Sequence, residues 1–171
     1  DPSHALMSVE MAEARRGFRL WLGKMPALIN DSLVNLVEIS TEEESQRFRG
    51  ERYAFWFGDL VGAEMEVQQK VAVACIAGTN YFIRQDHLID RDRVRYIAHT
   101  QIAMNLLYGK MIEGALEVLP DPTQFWSYFH LYMSEYTNAH IWEQKNSRRE
   151  FGQPRHVYSE QDLSTMVAGR S

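Results

Sequence analysis

Tyr81-Phe82-Ile83-Arg84-Gln85-Asp86-His87-Leu88-Ile89-Asp90-Arg91-Asp92 is the stretch on which the reading of this chain turns. It reads as helix, and the spacing i, i+4 puts the carboxylates of Asp86 and Asp90 on one face, about 6 Å apart at Cβ. Two like charges that close destabilise a helix unless a positive charge sits between them. A divalent cation meets that need, and an all-oxygen donor pair suits magnesium. The alternative is a pair of solvated carboxylates neutralised by Arg84, Arg91 and Arg93.

Working outward, the pair lies near the C-terminal end of a helical stretch expected from about Ala63 to Arg93. The end of a helix carries partial negative charge and disfavours carboxylates, so a cation or the flanking arginines must compensate. Within this stretch only the apolar run Val71-Ala-Val-Ala-Cys-Ile-Ala-Gly78 reads partly as strand. Elsewhere apolar residues recur at three- and four-residue intervals, the mark of helices. A first helix is expected from Ser8 to near Lys24, with Phe18, Leu22 and Met25 on one face and Pro26 at its end. A short helix follows Asp31. Thr41-Glu-Glu-Glu44 has the form of a capping box, and the helix it opens carries Phe48, Tyr53, Phe55, Trp56 and Phe57, an aromatic concentration that reads as core. Gly58 and Gly62 bracket a break. A helix from Tyr96 to Leu119 should stop at Pro120-Asp-Pro122, where Asp121 can cap the next helix and Pro122 open it. That helix should run to about Arg149. Phe151-Gly-Gln-Pro154 reads as a loop, and Ser159-Glu-Gln-Asp162 as a capping box for a last helix.

The 171 residues allow one sizeable buried core, and 45% hydrophobic with 24% charged residues is a globular composition. A net charge of −5 argues against a general nucleic-acid binder. No apolar run reaches the ~18 residues of a membrane span. Cys75 is the only cysteine, which excludes an intrachain disulfide and fits a reducing, cytoplasmic setting. Buried among alanines and valines, it should pack as a small hydrophobe.

One turn before Asp86, Phe82 and Ile83 share the side of the acidic pair. Together they would make a pocket with an anionic, metal-binding mouth and an oily interior, suited to a diphosphate carried on a hydrocarbon chain. A second group of signals runs from Glu143 through Arg149, Gly152 and Pro154 to Ser159, Glu160, Leu163 and Arg170. The acidic pair, preceded by its aromatic turn, resembles the first aspartate-rich motif of class I terpene synthases and isoprenyl diphosphate synthases. The later segment is similar to the bacterial terpene cyclase run of Glu, Arg, Gly-x-Pro, Ser-x-Glu and a final Arg. The resemblance spans roughly residues 50 to 170, with His87 standing where that family usually has a second aspartate.

The resemblance implies an all-α fold, a bundle of antiparallel helices around a hydrophobic cavity. It also implies a lyase acting on a prenyl diphosphate with Mg2+, Asp86 and Asp90 holding the metal. Arg170 would sense the diphosphate, Phe82 and Ile83 would line the cavity, and Trp56 and Phe57 would stabilise cationic intermediates through their ring faces. The family's second metal motif, an Asn, a Ser or Thr and a Glu at four-residue steps, has no match at a suitable place. Asn105-x-x-x-Gly109-x-x-x-Glu113 has the helical spacing but follows Asp90 too closely, and Asn30 and Glu38 have Val34 between them. The expectation is therefore a single α-helical domain, residues 1–171, that forms the N-terminal portion of a longer synthase domain. A homodimer is compatible with it. Two other functions remain open: a chain-elongating prenyltransferase of the same superfamily, and a non-enzymatic helical module for ligand binding or oligomerisation. His140 and Glu143, with Glu135 and Asn138, have partial spacing for a carboxylate-imidazole site, but read as a solvated helix face.

Overall fold

The computed structural model describes residues 2–31, 33, 50–90, 97–146 and 157–164, with side chains from residue 9 onward except those of Asp90 and Ile97. Five helices of more than two turns run through them: α1 (Pro2–Gly23), α2 (Glu51–Val61), α3 (Met65–Asp90), α4 (Ile97–Leu116) and α5 (Pro122–Asn146). Helical turns also occupy 27–31 and 160–164, and no strand occurs among the described residues. The all-α expectation holds in this form. The chain forms two compact units, residues 1–118 and 119–171.

In the first unit α3 packs against α1, α2 and α4. Its middle is the run read partly as strand. It is helical because tertiary packing overrides the β preference of Val71 and Val73. Its small residues let neighbours approach closely: a Cβ on Gly114 of α4 would lie 2.8 Å from the Ala74 Cβ, and one on Gly78 would lie 2.8 Å from the Met111 sulfur. Tyr81 and Tyr108 meet farther along, with ring centroids 5.2 Å apart. The pairs 74/114, 78/111 and 81/108 show that α3 and α4 run antiparallel.

Against α1 the pairing is different. Gln69 donates to Glu13 (2.8 Å) and Val73 lies beside Gly17, so α1 and α3 run parallel. An all-antiparallel arrangement is thus corrected for this pair. The physical reason is connectivity, since α2 returns between them and lets both point the same way. Met11, Ala14, Phe18 and Leu22 form the buried stripe of α1, with Met25 packed against it, as its periodicity predicts. Phe55, Leu107, Ala72 and Ala77 complete the core. A polar tie crosses it: Glu51, with only 5% of its surface exposed, accepts from Arg15 through Nε (2.9 Å) and Nη2.

The α2–α3 break falls at Gly62, not across Gly58 and Gly62 together. Gly62 takes φ +67, the left-handed conformation that ends helices, and Ala63 donates back to the Gly58 carbonyl (2.8 Å). Gly58 stays helical because α3 lies against it; a Cβ there would meet Gln68 at 2.5 Å. The expected aromatic core on α2 is only partly realised. Phe55 is fully buried, while Tyr53, Trp56 and Phe57 are exposed. The capping box at 41–44 and the loop at 151–154 lie outside the described residues.

Cys75 packs as expected and has a consequence for pH. Burial pushes its thiol from 9.0 up to about 11, and the Glu51 carboxylate adds to the rise. The unfolded chain therefore releases this proton first, and stability falls as pH rises above 9 until the folded thiol titrates near 11. Denaturant unfolding of the wild type and Cys75→Ala at pH 8 and pH 11 should show a steeper loss for the wild type. Parallel losses would overturn that assignment.

In the second unit the sequence signals for helix ends are met. Asp121 Oδ1 accepts the Thr123 amide (2.9 Å), which lowers the Asp121 pKa and caps α5. Ser159 and Asp162 satisfy each other: Asp162 Oδ2 accepts the Ser159 amide (2.8 Å), and Ser159 Oγ accepts the Asp162 amide (3.1 Å). The other oxygen of Asp162 accepts Trp142 Nε1 (3.0 Å), tying the turn to α5.

Candidate functional site

Asp90 is the last residue of α3 and Asp86 lies one turn before it, so both carboxylates attach where the helix dipole is least favourable to them. Asp86 is half-buried; the side chain of Asp90 lies outside the described residues. Phe82 and Ile83, a turn earlier, are also half-buried. Phe82 sets its edge against Tyr81 at 5.1 Å, and Tyr81 bridges to Tyr108 of α4. Burial raises the Tyr81 pKa, with Tyr108 adding to it. The contact between α3 and α4 at this level is therefore aromatic, through Tyr81 and Tyr108.

Two residues here play parts that their spacing hardly announced. Arg84 is 3% exposed, a buried cation two positions from Asp86, and its Nη1 lies 3.3 Å from His87 Nδ1. A guanidinium only donates, so the contact is a hydrogen bond when Nδ1 of His87 is the accepting ring nitrogen. The i, i+3 step between them was the available signal. Tyr108 carried none, because the α3–α4 register is a tertiary property.

The donor chemistry of the acidic pair fits magnesium. That ion is commonly held by one or two carboxylates together with substrate phosphates, and a His87 nitrogen facing Arg84 is a poor substitute for a carboxylate oxygen. Among the described residues no group of three or more His, Cys, Asp or Glu side chains converges as a metal site. Arg91, Arg93 and Arg170 lie outside the described residues. On α2, Trp56 is 50% and Phe57 62% exposed. In the second unit His140 is buried, with the Tyr136 ring 4.3 Å from its own. This corrects the solvated-face reading of that helix: Ala139 and His140 form its buried strip.

No described helix is long and apolar enough to cross a membrane. No family model, curated protein or solved structure matches the chain.

Proposed function

We propose that this chain carries the first metal-binding element of a class I terpene synthase, an enzyme that ionises a prenyl diphosphate and releases diphosphate. The observation that supports it best is the acidic pair one turn apart at the C-terminal end of a continuous α3, with half-buried Phe82 and Ile83 one turn below. Asp86 and Asp90 would hold Mg2+. When bound, the ion neutralises the charge of the departing diphosphate. Phe82 and Ile83 would contact the hydrocarbon and keep water from it, and Arg170 would bind the diphosphate oxygens as a bidentate donor. Arg84, donating to His87, would fix the turn that bears Asp86. A chain-elongating prenyltransferase would use the same acidic pair.

The test is calorimetric titration of the full-length protein with inorganic diphosphate, with and without Mg2+, followed by assay of diphosphate release from a prenyl diphosphate. Binding that requires Mg2+ is expected. Binding indifferent to Mg2+, or none, would replace this reading with the non-enzymatic helical module. Arg170→Ala is expected to weaken diphosphate binding by about 2–5 kcal/mol, at least ~30-fold in Kd. An unchanged Kd would remove the sensor role from Arg170.

A further inference from the structure

Helix α2 has two apolar faces, and only one of them is used inside its own unit. Ala54, Phe55 and Gly58 are buried toward the core. Tyr53, Trp56, Phe57, Leu60 and Val61, at i, i+3, i+4, i+7 and i+8, make a second stripe on the other side. All five are exposed, Leu60 to 79%. The stripe is continuous: the Tyr53 ring lies 5.8 Å from Trp56 and stacks 6.3 Å from Phe57. Its apolar surface is on the order of 600 Å2, at the upper end of what a monomer leaves in water. It is close to the ~800 Å2 that each partner contributes to a standard interface.

We infer that this stripe is a self-association surface, on which α2 packs antiparallel against α2 of a second copy across a two-fold axis. The charges beside it favour this occupant. Arg52 and Asp59 are seven residues apart and share one flank of the stripe, next to Trp56. In an antiparallel pair, like flanks face each other, so Arg52 meets the partner's Asp59 and Asp59 meets the partner's Arg52. A parallel pair would set this flank against the partner's other flank, the side of Ala54 and Val61, which offers Arg52 and Asp59 no opposite charge. Gln68 Nε2 donates to Asp59 Oδ1 (3.1 Å), which holds that carboxylate in place without neutralising it. The axis then passes near Trp56, bringing it against the partner's Trp56, with Leu60 alongside the partner's Tyr53. An anionic lipid surface is the poorer occupant, because Asp59 and Glu64 are both exposed at this end of the helix and the chain carries a net charge of −5.

This inference does not depend on the proposed enzymatic role. It assigns Trp56 and Phe57 to contact between chains instead of to a cavity wall. Sedimentation equilibrium of the full-length protein tests it. The wild type should dissociate from dimer to monomer with a Kd of about micromolar order, given an interface at the small end of the range. Leu60→Glu should raise that Kd about 100-fold, as loss of a central apolar contact does. Arg52→Glu and Asp59→Arg should each raise it about 10-fold, and the double variant, which exchanges the two charges, should return to within about threefold of the wild type. Circular dichroism of each variant should retain the helical signal, since these side chains are outside the core. A wild type that stays monomeric at about 200 µM, a hundredfold above that Kd, would overturn the inference, whether or not it binds phosphatidylglycerol vesicles. So would a dimer indifferent to Leu60→Glu, or a double variant no tighter than the single ones.

Discussion

Replacement of Asp86 or Asp90 by alanine is expected to lower Mg2+-dependent release of diphosphate at least ~10³-fold in the full-length protein. A metal ion contributes several kcal/mol to stabilising developing charge, and about 4 kcal/mol corresponds to that factor. The helix dipole disfavours negative charge in the C-terminal turns of α3, so the loss of turnover is not expected to come from a loss of helix-end stabilisation. Asp86→Asn and Asp90→Asn, which keep the side-chain size, should behave like the alanine variants in turnover. Retained turnover in both alanine variants would dismiss the metal assignment. A fall in thermal stability accompanying lost activity would instead point to a structural role for the pair.

Phe55→Ala is expected to destabilise the first unit by about 3–5 kcal/mol, the cost of emptying a fully buried aromatic site that cannot collapse. Domains of this size are commonly stable by only 5–15 kcal/mol, so a large part of the folded margin would go. A thermal melt should shift down by roughly 15 °C or more. Phe57→Ala, two positions along the same helix, should change monomer stability by no more than about 0.5 kcal/mol when measured at low protein concentration. Both residues are phenylalanine in one aromatic cluster; only the direction in which α2 turns them differs. Equal losses at both positions would mean that Phe57, like Phe55, is part of the core. Loss at Phe57 that grows with protein concentration would reflect the association surface on the outer face.

Much of the local structure was legible because its causes are local. The Asp121 cap, Pro122 at the first position of α5 and the reciprocal Ser159–Asp162 bonds each follow from a side chain that can reach an orphan amide within three residues. The stripe Phe18, Leu22 and Met25 needed only the period of a helix. Two misreadings had longer-range causes. The run from Val71 to Gly78 carries both β-branched and small residues, and it is helical because Gly114 and Met111 of α4 come up against Ala74 and Gly78. His140 reads as surface by its polarity, yet it is buried beside Tyr136. The aromatic concentration on α2 was visible, but which of its rings enter the core was not, since both of its faces are apolar.

For the candidate site, the sequence by itself determined the placement of Asp86 and Asp90 on one helical face and of Phe82 and Ile83 a turn below, because a 3.6-residue period is enough to decide neighbours within one helix. Tertiary structure alone decided that Tyr108 of α4 packs on Tyr81, that Arg84 is buried with its guanidinium toward His87, and that α1 runs parallel to α3 while α2 and α4 oppose it. Those facts depend on register between helices. Register is set by which small and large side chains fit against one another at close approach, and residues far apart in the chain share that decision.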